Sequence, residues 1–118
     1  MLSFEESQEY LEQFVDELPP VIFEGLNCGV SLREGSLYDE NGLLILGQYH
    51  YEPYGLGRYV TINYGSLVAA YSHFSPENFA QKIKYVLHHE LTHHLENKAG
   101  DRTLEIQDAV DKIRMLGL

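Results

Sequence analysis

The segment Leu87–Gly100 reads LHHELTHHLENKAG and is followed by Asp101. It crowds four histidines and two glutamates into about three turns of a helix. Within it, His89-Glu90-Leu91-Thr92-His93 has the pattern H-E-x-x-H. On a helix, His89 and His93 lie about 40° apart on one face, so both imidazoles can bind one Zn²⁺ from the same side. Glu90 lies about 100° round from His89. It is close enough to take a proton from a water on such a metal without being a ligand itself. That is the chemistry of metal-assisted hydrolysis. No other frame works, because the residue four before His94 is Glu90. Val86, Leu87, Leu91 and Leu95 surround the motif with apolar groups, which dry a site and keep stray charge from a metal.

A catalytic zinc commonly takes three protein ligands and one open position. The candidates for the third ligand downstream of His93 are Glu96, Asp101, Glu105 and Asp108, of which Glu105 and Asp108 follow Asp101 at i+4 and i+7 and equally suit a solvated helix face. Asp101 follows Gly100, where the chain is free to turn back from the helix end, but it equally suits the N-cap of a following helix. Glu105 is a turn further on and has the longer reach. Glu96 shares the face of the two histidines. Three ligands at i, i+4 and i+7 would span about 10 Å of helix axis, so Glu96 suits a supporting or surface position better. Of the remaining histidines, His94 points toward Ile83, Leu87 and Leu91 and is expected to be packed or to support the site. His88 is expected on the surface. His50 and His73 fall outside the motif and are not expected to be ligands. Cys28 is expected to be a small buried hydrophobe.

These residues need a scaffold. Ser3 and Glu6 form a capping box ahead of Leu11, Phe14, Val15 and Leu18, which predicts a first helix stopped by Pro19-Pro20. Short strands are predicted at Val21–Phe23 and Val30–Leu32. A stronger one is predicted at Leu43–Leu46, with Gln48–Tyr51 as its extension. RYVTINY, Arg58–Tyr64, alternates and is rich in β-branched and aromatic residues. With Leu43–Tyr51 it predicts a hairpin whose long tip is the loop Tyr51–Gly57. A short helix is predicted at Leu67–Tyr71. A long one begins at the Ser75-Pro76 cap and runs to about Asn97, with Gly100 as its stop. A last helix is predicted from Asp101 to about Met115.

The chain has 118 residues, 44% of them hydrophobic, and a formal net charge of −10. The length predicts one domain over residues 1–118, and the composition predicts a folded globule. So acidic a chain repels phosphate backbones, which argues against a nucleic-acid partner and for a neutral or basic peptide or protein substrate. The single cysteine fits a reducing compartment. With no signal-like N-terminus and no apolar run of membrane-spanning length, a soluble cytoplasmic protein and no membrane partner are expected.

At the residues His89, Glu90, His93, His94, Gly100 and Asp101 the sequence resembles the small bacterial zincin-like metallopeptidases, a group of minimal zincins. The stretches LGQYHYEPYGLGRYVTINYGS, HHELTHHLENKAGD and LEIQD are similar to a Firmicute-type branch of that group. The common form of the family is H-E-x-x-H-x-x-G-x-x-D. Here Glu96 and Ala99 occupy the glycine and aspartate positions. A two-residue insertion restores the alignment at Asp101, and Leu104 then matches the leucine that follows the family's aspartate. The resemblance implies an α+β minimal zincin-like fold: a small mixed sheet packed on the active-site helix, with flanking helices. It also implies a zinc-dependent peptidase in which His89, His93 and Asp101 hold the metal and Glu90 is the general base, with Glu105 left open as a ligand. Two other readings compete. One is a zinc-binding interaction module with little or no catalysis. The other is a ribonuclease of the H-x-x-x-H-x-x-x-x-x-H type, which Ala99 and the acidic charge disfavour.

Overall fold

A computed structural model of the chain describes residues 1–98. Helix α1 spans Phe4–Asp16. Its start is set by the capping box: the Glu6 N–H donates to Ser3 Oγ, and the Ser3 N–H donates to the Glu6 carboxylate. The Ser3 N–H, and after it the Ser3 hydroxyl, hold the Glu6 carboxyl below its usual range. Ser7, Leu11 and Phe14 face inward, while Glu5, Glu9, Glu12 and Asp16 face solvent.

The strand expected at Val21–Phe23 is instead a 3-10 turn, Pro20–Phe23. Pro20 fixes φ in the helical range at the first position. The Ile22 N–H then closes onto the Pro19 carbonyl at 3.1 Å, and the Glu24 N–H onto that of Val21 at 3.3 Å. The tight turn drops Ile22 into the core.

Three strands follow: β1 at Val30–Arg33, β2 at Gly47–Glu52 and β3 at Gly57–Asn63. Their order in the sheet is β1-β3-β2. β1 runs parallel to β3, with Val30 opposite Val60. β2 runs antiparallel to β3, with Gly47 opposite Ile62 and Glu52 opposite Gly57. The hairpin tip is therefore only residues 53–56, shorter than the sequence suggests.

Leu43–Leu46 is not a strand. Leu44 makes one isolated bridge to Tyr38. The Asp39 carboxylate accepts the N–H groups of Asn41 and Leu43, at 2.8 and 2.9 Å, so the segment folds on itself instead of extending.

Helix α2 is Tyr64–Tyr71 and α3 is Pro76–Asn97. Ser75 Oγ caps α3 by accepting from the Asn78 N–H at 3.1 Å, and Pro76 occupies the first turn, where no N–H is needed. One stripe of α3 carries Phe79, Ile83, Leu87 and Leu91, all fully buried. They meet α1 on one side and the sheet residues Val60 and Ile62 on the other. Each such side chain contributes about 1.5–3 kcal/mol of burial, so this stripe sets the rotation of α3 about its axis.

The architecture is α+β: helices packed against a small three-stranded mixed sheet. Among the described residues no helix is long and apolar enough to cross a membrane. The expected stop at Gly100 and the helix from Asp101 to Met115 lie outside the described residues.

Candidate active site

The stripe that buries Leu87 and Leu91 turns His89 and His93 outward, and both are exposed. Their Nε2 atoms face each other at 3.2 Å, with ring planes at 87°. Two nitrogens about 2.0–2.1 Å from one tetrahedral zinc would be separated by about 3.3 Å. The pair therefore fits that ion without movement of the helix. The other ring nitrogen of His93, Nδ1, lies 3.8 Å from the Glu96 carboxylate, on the side away from His89. Glu96 thus sits behind His93 and not beside the point the two Nε2 atoms share. The ring of Tyr85 stacks nearly parallel to that of His89, with centroids 6.2 Å apart.

Glu90 points toward the sheet and is only 7% exposed. Burial raises its carboxyl pKa above the usual range, partly offset by His89 and His93. Gly47, at the start of β2, makes that position possible. A Cβ on Gly47 would stand 2.5 Å from Val86 Cγ1 and 3.3 Å from Glu90 Cγ. Only a residue without a side chain lets the edge strand cross α3 this closely.

Glu90 also divides two open spaces. One, of about 600 Å³, is polar and is bounded by Gln48, Tyr49, His93, Glu96 and Asn97. The other, of about 290 Å³, lies toward the start of α3 and also borders His89. Among the described residues β2 pairs only with β3, so its outer edge, running beside these spaces, is free.

His94 is fully buried and joins three parts of the molecule. Its Nε2 meets the Glu24 carbonyl at 2.8 Å and its Nδ1 meets the Tyr49 hydroxyl at 3.0 Å. A carbonyl can only accept, so Nε2 carries the proton and Nδ1 accepts from Tyr49. Burial keeps the imidazole neutral by lowering its pKa, and burial raises that of Tyr49, which therefore keeps its proton. The Tyr49 hydroxyl proton is thus committed to His94, and the ring is held against the polar space beside Glu90.

Several expectations are corrected. His88 is not on the surface but 2% exposed, with its pKa lowered by burial. Its neighbours at i+3 and i+7 are Leu91 and Leu95, so the apolar stripe is wide enough to include it; that spacing was the available signal. Cys28 is exposed, not buried, and its thiol donates to the Leu56 carbonyl at 3.3 Å.

His50 bonds to Thr61 Oγ1 at 2.9 Å and stacks on Tyr59, and His73 packs edge-on against Phe74. Neither joins the His89–His93 pair. Gly47 and Tyr49 were missed as site residues. The alternation of β2, which places Tyr49 on the same face as Gly47 and opposite Val60, would have found Tyr49. Among the described residues no group of three His, Cys, Asp or Glu side chains gathers at one point. Asp101 and Glu105 lie outside the described residues.

No family model matches the chain, and no curated protein matches it. Among solved structures it is similar to a conserved hypothetical protein from T. thermophilus. That similarity has a TM-score of 0.69 and 28% identity, over 85% of this chain and 100% of the other.

Proposed function

We propose that the chain is a zinc-dependent hydrolase of peptide bonds, of the minimal zincin kind that its sequence resembles. One observation carries the reading: the two Nε2 atoms of His89 and His93, 3.2 Å apart, stand next to a buried carboxylate at the mouth of an open cleft. His89 and His93 would hold the zinc, with Asp101 or Glu105 as the third ligand. When bound, zinc lowers the pKa of a water toward neutrality and draws charge from a carbonyl.

The chain supplies the rest. Glu90 takes the proton of the attacking water and returns it to the leaving amine. Gly47 and the buried stripe of α3 hold that carboxylate in place. The free edge of β2 pairs with the backbone of an extended peptide and lays it across Glu90. Tyr49, tied to His94, forms a fixed wall of the cleft. The acidic surface favours neutral or basic peptides.

The test is Glu90→Gln in zinc-loaded protein. Zinc should stay at one per chain while peptide hydrolysis falls by about 10²–10⁴-fold, the usual worth of a general base. Equal rates for the parent and the variant would remove Glu90 from the chemistry. A zinc-loaded parent that cleaves nothing in a diverse peptide library would favour the zinc-binding module instead.

A further inference from the structure

The sheet has two edges, and the hydrolase reading uses one of them. The other belongs to β1, which pairs only with β3 among the described residues. Between α1 and the start of β1 lies a groove of about 390 Å³. It adjoins a second space of about 270 Å³, which shares Val15, Asp16 and Phe23 with it and ends at Leu18 and Pro20. Gln8, Leu11, Glu12, Val15 and Asp16 give the α1 side, at the i, i+3, i+4, i+7, i+8 spacing of one helix face. That face is divided. Leu11, Val15, Phe23 and Val30 form an apolar floor that belongs to or packs against the core. Glu12 and Asp16 are exposed and form an acidic rim. Among the described residues neither carboxylate forms an ion pair.

We infer that this groove docks an extended, basic segment of a partner protein, whose Lys or Arg side chains lie in it. Nothing in the hydrolase reading enters the inference, because the groove is at the opposite edge of the sheet from β2. The occupant follows from the chemistry of the lining. A Lys or Arg side chain has an apolar stem and a charged head. The stem covers Leu11, Val15 and Phe23. The head reaches the rim, where Glu12 and Asp16 are i, i+4 neighbours about 6 Å apart and can share it. The backbone of the segment is met as well. β1 presents unpaired N–H and C=O groups along its outer edge, so an extended segment can add there as a further strand. The groove follows α1 from Gln8 to Asp16, about 12 Å of helix axis. That matches about four residues of extended chain, and β1 itself has 4 residues. A second copy of this chain is a poor occupant, since it brings the same acidic rim and a net charge of −10.

The test uses zinc-free protein, so that no cleavage intervenes, and follows backbone amide NMR shifts. The probe is a blocked hexapeptide of alternating Val and Lys. Titration should move the amides of Leu11, Val15, Phe23 and Val30–Arg33. Glu12→Gln with Asp16→Asn should weaken binding about five- to tenfold, the worth of two partly exposed ion pairs. Glu40→Gln with Glu77→Gln removes the same charge from two exposed positions outside the groove and should change binding by less than about twofold. Equal losses in the two double variants would overturn the inference.

Two further peptides separate the sources of affinity in the parent protein. With Ser in place of Val and the Lys residues kept, binding should be about fivefold or more weaker, because less apolar area leaves water. With Glu in place of Lys, binding should be lost. Equal binding of the Ser-Lys peptide, or shifts scattered over the acidic surface, would reduce the contact to diffuse charge and overturn the groove. Shifts confined to Gly47–Glu52 would put the peptide on the other sheet edge and overturn it too. A mass that rises with protein concentration in sedimentation, with the groove amides moving on dilution, would give the groove to a second copy instead of a basic partner.

Discussion

His88-His89 and His93-His94 are two neighbouring pairs in one helix, and each pair is split. His89 and His93 are exposed with their ring nitrogens turned on each other. His88 and His94 are buried, their pKa values lowered by loss of water. One residue of helical rotation, about 100°, separates the two fates. The buried stripe decides which is which, since Ile83, Leu87 and Leu91 fix the side of α3 that faces the core. The same side chain therefore faces solvent and its twin at one position and acts as a bracket at the next. His94 makes the contrast clearest, because both its nitrogens are already used by Glu24 and Tyr49.

The largest effect should come from the exposed pair. His89→Ala with His93→Ala should take zinc from about one per chain to none by elemental analysis. Being at exposed positions, the two changes should move stability of the zinc-free protein by only about 0.5 kcal/mol each. Zinc retained in that double variant would end the division of roles.

Next comes the missing ligand. Asp101→Ala should weaken zinc affinity, measured by competition with a chelator, far more than Glu105→Ala, with circular dichroism unchanged in both. The opposite order would make Asp101 a helix cap and Glu105 the ligand.

His94→Ala should show the bracket role. It removes a packed ring and leaves the Tyr49 hydroxyl without its acceptor, a loss of about 3 kcal/mol in chemical unfolding. Zinc should still bind at the same stoichiometry. Loss of zinc with stability intact would place His94 on the wrong side of the comparison.

The smallest effect concerns His50, which is only partly covered, on the sheet. Burial, then Arg33, lowers its pKa in the folded state. The unfolded chain therefore takes up the proton first. His50's contribution is fully present above about pH 6.5 and is lost as pH falls from there through the folded-state value. In zinc-free protein, His50→Gln should flatten the fall in stability below pH 6.5, by a fraction of the His94 effect. An unchanged slope would show that His50 is as free as a surface residue.

Much of the molecule was legible because local signals agreed. Ser75-Pro76 starts α3, Ser3 and Glu6 start α1, and the alternation of Arg58–Tyr64 marks β3 to within a residue. The positions of His89, Glu90 and His93 followed from spacing alone. What was not legible depended on hydrogen bonds between side chain and backbone, or on partners distant in sequence. Leu43–Leu46 has the composition of a strand, but the Asp39 carboxylate takes the Leu43 N–H and the Ile45 N–H turns back to the Leu37 carbonyl. His88 reads as polar, but α3 meets α1 on that side, where Lys84 lies 3.9 Å from Glu17. The role of Gly47 rests on a crossing distance between two elements, which periodicity does not report.

The parallel pairing of β1 with β3 bears on the order of assembly. The β2–β3 hairpin closes over a tip of four residues, 53–56. β1 must wait for β3, which lies beyond a long intervening stretch that includes the folded-back Leu43–Leu46 segment. Closing the larger loop costs more chain entropy before any contact repays it. The hairpin and α3 are therefore expected to form the folding nucleus, with β1 docking afterwards. Core truncations in α3 would slow folding, whereas those in β1 would mainly speed unfolding. The element that carries the proposed chemistry would then be among the first to take shape.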